Sequence, residues 1–282
     1  MTAANAEQIA DWNGTQGLRW AELQAQTDGI VLPFGEAALQ LAAARVGERV
    51  IDVGCGCGDT TFELARQVGA TGRVLGVDVS RPMLDVARVR AVAAGSAALE
   101  FREADAAEAA LPASNDLLFS RFGTMFFDQP APALRHLRGA LRPGGRFVFV
   151  CWRAPRDNEW AMAPLAAARR AAGIAPAPVD PNAPGPFAFA DEPRLRGILA
   201  DAGFERIDIQ RFDAIVTLGA NPRAAAENAL RIGPTSRFAR SLGDEALPAI
   251  VDAIEIALAP LAAADGVVRL NGSTWIVTAS NP

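Results

Sequence analysis

Val50-Ile51-Asp52-Val53-Gly54-Cys55-Gly56-Cys57-Gly58-Asp59-Thr60-Thr61 is an apolar run that breaks into alternate glycines and then into helix-forming residues. It predicts a buried strand ending at a sheet edge, then a loop whose backbone can approach a ligand without Cβ atoms in the way. A helix should follow over Thr61 to Val68, stopped by Gly69. Thr60 and Glu63 have the spacing of a capping box. The glycines fall at 54, 56 and 58 rather than at G-x-G-x-x-G spacing, and Asp59 at the helix start opposes a pyrophosphate. An NAD(P)-dependent oxidoreductase is therefore disfavoured. Asp52, at the strand end, suits a ligand that carries an ammonium group.

Further landmarks follow in order. Gly72 to Ser80 reads as a second strand ending in Asp78, about 20 residues past the glycines, where an acid can take both hydroxyls of a ribose. Ser80 is placed as an N-cap and Pro82 in the first turn of the next helix. Leu99 to Ala104 reads as a third strand, followed by Asp105. Asp116 to Phe122 is the fourth, Leu134 to Leu141 an amphipathic helix, and Arg146 to Trp152 the fifth. The turn before that strand is Leu141-Arg142-Pro143-Gly144-Gly145.

This series, over residues 46 to 153, resembles the class I S-adenosylmethionine (SAM)-dependent methyltransferases, in particular those of ubiquinone and menaquinone biosynthesis and their small-molecule relatives. The acid-x-G-x-G-x-G motif stands as Asp52 to Gly58, and the L-x-P-G-G turn is intact. The resemblance implies a Rossmann-like α/β fold with a seven-stranded sheet of order 3-2-1-4-5-7-6, the last strand antiparallel. It implies SAM as cofactor and S-adenosylhomocysteine (SAH) as product. Residue by residue, it implies cofactor contacts at Asp52, Gly54, Cys55, Gly56 and Gly58. Asp78 would serve the ribose, Met83 the adenine face, Asp105 and the Ala106 N–H the adenine edge, with Val79 a further cofactor contact and Ser120 at the end of the fourth strand.

Outside this core the chain reads as elaboration of one domain, 1–282. Residues 1–45 form an N-terminal helical cap, with a helix from Gly35 to Val46, and Trp12 and Trp20 either wall the active site or pack on the sheet. Residues 154–193 form a proline-rich connection, with Pro176, Pro178, Pro181, Pro184, Pro186 and Pro193 excluding helix over 176–193. Asp191 to Ala202 is a helix closed by Gly203, and Phe204 to Val216 a sixth strand. Residues 222–264 are a helical insertion broken at Gly233-Pro234 and Pro248, lying over the pocket, and Val267 to Ala279 alternates as a last strand.

On the acceptor side, Arg121 and Arg153 stand among Phe122, Met125, Phe126, Phe127, Trp152 and Trp160. They read either as an anion clamp in an apolar pocket or as partners of local acids such as Asp128, Asp157 and Glu159. The acceptor expected is thus a hydrophobic or aromatic small molecule. No general base is assigned. The chain has no tyrosine, and its one histidine, His136, falls midway along a helix leading away from the ligand edge. Asp128 is the nearest carboxylate, and Asp128-Gln129-Pro130 also reads as a helix cap. The missing base keeps in view a non-methylating cyclisation or rearrangement on the same cofactor.

Composition narrows the partners. Net charge is −5 with scattered Lys and Arg, which leaves no footprint for nucleic acid. No apolar run reaches the ~20 residues of a membrane span, and the start Met1-Thr2-Ala3-Ala4-Asn5 lacks a signal-peptide pattern, so a cytoplasmic protein is expected. A homodimer is left open. Cys55, Cys57 and Cys151 are read as packing residues and no metal is expected.

Overall fold

The computed structural model describes residues 3–95, 98–176 and 180–282; Met1, Thr2 and Pro178 of the readings above lie outside them. Three helices open the chain, α1 (Ala3–Asn13), α2 (Thr15–Glu22) and α3 (Gln24–Ala42). The expected Gly35–Val46 helix is the second half of α3, which carries Pro33 in its interior and ends with Ala43 in the left-handed region. Alternating strands and helices follow: β1 (Arg49–Val53), α4 (Asp59–Val68), β2 (Arg73–Asp78), α5 (Arg81–Ala94), β3 (Leu99–Glu103) and β4 (Asn115–Arg121). The second half comprises α6 (Pro130–Gly139), β5 (Leu141–Trp152), α7 (Glu159–Ala172), α8 (Glu192–Asp201) and β6 (Glu205–Gly219). It closes with α9 (Pro222–Ala229), α10 (Gly233–Ala239), α11 (Leu247–Leu258) and β7 (Val268–Ser280).

The strands form one sheet in the order β3-β2-β1-β4-β5-β7-β6, the order expected. β1 to β5 pair parallel, while β7 runs antiparallel to both β5 and β6. Parallel strands covered on both faces need continuous apolar runs, and Val50, Ile51 and Val53 in β1, Leu117, Leu118 and Phe119 in β4, and Phe147 to Cys151 in β5 are all buried. Each large side chain so buried contributes roughly 1.5–3 kcal/mol. β1 and β4 are adjacent in the sheet, so their C-terminal ends lie side by side at the crevice where open α/β sheets bind ligands.

Several local expectations are corrected. α4 starts at Asp59 with Gly58 at its N-cap and no side-chain cap, so Thr60 and Glu63 form no capping box. Glu63 instead accepts from Arg66 and Gln67. Ser80 does occupy the N-cap of α5, but its hydroxyl donates to the Trp12 carbonyl. The N-cap of α6 is Gln129, not Asp128, and no side chain caps it. The connection at 154–193 contains the fourteen-residue α7, whose Pro164 hid its apolar face: Trp160, Ala161, Leu165 and Ala168 are all buried. In the insertion, Gly233-Pro234 and Pro248 mark helix starts, each proline in a first turn where its missing N–H costs nothing.

Candidate active site

The site is built from the C-terminal ends of β1, β2 and β4. Leaving β1, the chain takes a left-handed turn at Gly54 (φ 70°) and again at Gly56 (φ 53°). A Cβ on Gly54 would lie 2.8 Å from Gly123 Cα, and one on Gly56 would lie 2.7 Å from Met83 Cε. The loop is pinned by two carboxylates. Asp78 Oδ2 accepts from the Gly56 N–H and its Oδ1 from the Ser80 N–H, both at 2.8 Å. Burial raises the Asp78 pKa against these two bonds.

Asp52 is fully buried beneath the loop. Its Oδ2 accepts from the hydroxyls of Thr60 and Thr61 at 2.8 and 2.7 Å, and its Oδ1 has no partner among the described residues. Burial pushes this carboxyl up to about 6.

Above the loop lies a cavity of about 1210 Å³. Pockets for one drug-sized ligand span ~300–1,000 Å³, so there is room here for two molecules side by side. One end is lined by Gly54, Cys55, Gly56, Asp78, Val79 and Met83, with Asp105 and Ala106 beyond them. Trp12 and Trp20 line it too; Trp12 meets Trp20 and Phe126 edge-on, with ring centroids 5.9 and 5.5 Å apart. The two tryptophans therefore wall the cavity. The other end is apolar, with Phe122, Met125, Trp152, Met162, Leu165 and Phe238 among its lining. Phe122 and Trp152 stack at 4.3 Å.

Four expected site residues are not on this wall. Asp52 and Ser120 are fully buried, Ser120 donating to the Val53 carbonyl at 2.7 Å, and Gly58 closes the loop at the N-cap of α4. These three shape the loop from behind the wall. Asp128 lies outside the lining as well, and so is not placed to act as a base on a molecule in the cavity. His136 points elsewhere, its Nε2 lying 2.8 Å from the Ala109 carbonyl.

Both proposed clamp arginines line the cavity but are committed to acids. Arg121 bridges Asp59 (2.8 Å) and Asp28 (3.0 Å), neither among the acids proposed for it. Arg90 sits 3.6 Å from Asp28 and 3.8 Å from Asp59, and donates to the Cys57 carbonyl, completing a charge-neutral group of four beside the glycine loop. Arg153 pairs with Asp157 at 3.2 Å, donates to Ser273 Oγ at 2.6 Å, and lies 4.7 Å over the Trp275 ring. The local-acid reading therefore holds, with Asp157 the one partner named correctly. The thiols of Cys55, Cys57 and Cys151 are free and buried, and burial pushes Cys57 up to about 12.

The cap is latched to this site by polar contacts. Asn13 donates to the Val79 carbonyl (2.8 Å) and accepts from the Arg81 N–H (3.0 Å). Asn5 donates to Asp105 at 2.7 Å. Neither asparagine is legible as a latch in the sequence, because the partners are more than 60 positions away.

Residues 50–145 match the family described as "Methyltransferase domain". Nocamycin O-methyltransferase of Saccharothrix syringae is 33% identical over 170 residues, covering 59% of this chain and 57% of that protein. The ubiquinone/menaquinone biosynthesis C-methyltransferase UbiE of Pseudomonas fluorescens (strain Pf0-1) is 34% identical over 122 residues, covering 43% and 48%. The chain thus spans about half the length of the curated relatives it matches. A structure described as a putative methyltransferase from Bacillus halodurans superposes with a TM-score of 0.57 at 18% identity, covering 88% of this chain and 98% of that one. Sheet order and neighbours agree on the class I methyltransferase fold, and residues 50–145 match the methyltransferase-domain family within it.

Proposed function

We propose that this chain, built around a methyltransferase domain, binds SAM and catalyses methyl transfer to a hydrophobic or aromatic small molecule, releasing SAH. The observation that carries the reading is the single cavity that joins the Gly54–Gly56 loop and Asp78 to an apolar chamber. The loop suits the cofactor: two left-handed glycines let its backbone run at the cavity wall in close contact with Gly123 and Met83, and Asp78 stands at the strand end next to them. The related nocamycin and quinone enzymes are named as O- and C-methyltransferases, which weighs for transfer over rearrangement.

In this reading Asp78 holds the ribose, Met83 and Val79 pack against the adenine, and Asp105 with the Ala106 N–H meets its edge. SAM supplies an electrophilic methyl group on a sulfonium. The protein's work is then to align the acceptor and exclude water, since a methyl transfer that consumes a positive charge needs positioning more than an oxyanion hole. Phe122, Trp152 and Met125 supply the dry wall. Among the described residues, every carboxylate on the wall is hydrogen-bonded or paired, which suits an acceptor that arrives nucleophilic, as a carboxylate, phenolate, amine or thiolate.

The test is incubation with trideuteromethyl-SAM and an extract of small metabolites, read by mass spectrometry. A labelled small molecule with equimolar SAH is expected. Tight SAM binding and acceptor turnover without SAH would replace transfer by a non-methylating reaction.

A further inference from the structure

With Arg121 and Arg153 neutralised, other arginines remain on the cavity wall. Arg194 donates to the Ala188 carbonyl, and Arg156 is exposed at the turn before α7. Arg169, on the last turn of α7, and Arg237, on the last turn of α10, both line the cavity and have no hydrogen bond or ion pair among the described residues. Arg169 lies 5.9 Å over the ring of Phe238, the residue next to Arg237 in α10, which places the two arginines on neighbouring stretches of the wall. Arg169 is half-buried and Arg237 exposed. Of the lining carboxylates, Asp157 pairs with Arg153 and Glu192 with Arg196, while Asp191 and Asp180 accept from the Arg194 and Asn182 N–H groups. A helix C-terminus favours a cation, and neither arginine has a hydrogen-bonding or ionic side-chain partner among the described residues beyond that.

We infer that Arg169 and Arg237 form an anion subsite on the acceptor chamber's wall, which takes an aromatic or apolar acceptor carrying a carboxylate or comparable anionic group. The inference rests on the proposed function, since it places the acceptor in this cavity. A guanidinium matches a planar carboxylate, and Phe238 with the neighbouring apolar side chains takes the ring system. The anionic group anchors the acceptor at this wall, and so selects which acceptor atom faces the glycine loop.

The probes are 2-naphthoate and its neutral isostere 2-naphthamide, with affinity measured calorimetrically on the full chain at saturating SAH. The wild type should bind the naphthoate at least tenfold tighter than the amide. Arg169→Met and Arg237→Met should each erase most of that preference by weakening naphthoate alone, and Arg169→Lys should keep part of it. SAH affinity, measured separately, should be unchanged in all three variants, which also reports that they fold. Equal affinity of the wild type for the two probes, including no binding of either, overturns the subsite, as does an undiminished preference in both methionine variants. Failure of the wild type to bind SAH would instead overturn the cofactor reading beneath it.

Discussion

Asp52 is a carboxylate whose value lies in what it holds rather than in what it touches. With one oxygen serving two threonines and the other unpaired, burial raises its pKa from 3.8 to about 6. The folded protein therefore keeps this proton to higher pH than the unfolded chain does. The penalty for ionising it is absent below about pH 4, grows as pH rises toward 6, and is constant above, reaching roughly 3 kcal/mol at 1.36 kcal/mol per pKa unit. Unfolding free energies of the wild type should consequently fall relative to Asp52→Asn by about that amount between pH 4 and 7; a pH-independent difference would show that the carboxyl titrates normally. Its neighbours differ in how they tolerate change. Gly54→Ala and Gly56→Ala each pay ~1 kcal/mol for a left-handed alanine. At Gly54 the new methyl also meets backbone, whereas at Gly56 it meets the movable end of Met83. Gly54→Ala should lower the melting temperature clearly more than Gly56→Ala, and the reverse order would refute the packing described. Asp78→Asn removes a charged acceptor from two N–H groups and from the proposed ribose site, so SAH affinity should drop on the order of 100-fold with the fold retained. Near-normal affinity would overturn the ribose assignment.

At the scale of elements, the cap acts on the cofactor end through its helix termini. Asn13 ends α1 and joins the cap to the β2–α5 connection through both Val79 and Arg81, while Ser80 reaches back to the Trp12 carbonyl. Asn13→Ala should weaken SAH binding by about tenfold and speed amide exchange in α1, leaving β1 and β4 unchanged; unaltered affinity would reduce the latch to a packing contact. How much of this was legible in the sequence follows from where each signal resides. β1, β2, β4 and β5 announce themselves because buried parallel strands must be continuously apolar and their turns carry Gly and Pro at fixed places. The glycine loop, Asp78 and Asp105 lie directly on those strand ends, so their positions in the fold could be read together with the strands. α7 escaped because Pro164 interrupts an otherwise helical pattern. The partners of Arg121 escaped because sequence favours near neighbours, such as Asp128, whereas Asp28 and Asp59 come from 93 and 62 positions away. Asp52 was read as facing the ligand because its place in the motif says nothing about which side of the loop its side chain takes.

Across the whole molecule, two segments remote in sequence form one roof. The cap comes from the first 42 residues and α10, the one helix of the insertion between β6 and β7 that lines the cavity, from residues 233–239, yet they are tied directly to each other; α9 and α11 of the insertion expected over the pocket do not line it. Arg19 donates to Ser236 Oγ at 3.0 Å, Arg240 lies 3.6 Å from Asp11, and Arg231 lies 3.6 Å from Glu22. Ion pairs like the latter two contribute little each, about 0–1 kcal/mol, so these ties hold the two segments together only weakly. The ties nonetheless make one segment's position depend on the other's. In the proposed function the cap serves the cofactor through Trp12 and Trp20, and α10 serves the acceptor through Arg237 and Phe238, all of which line the cavity. Binding at either end should therefore be felt at both. Hydrogen exchange measured with and without SAH should show slower exchange in α1–α2 and, together with it, in α10. The outer strand β6 near Glu205 should be unaffected. Arg19→Ala together with Arg240→Ala should uncouple the two, leaving protection in the cap and removing it from α10. Protection confined to the cap in the wild type would mean that the two halves of the roof move independently, and that the acceptor chamber is closed by the acceptor alone.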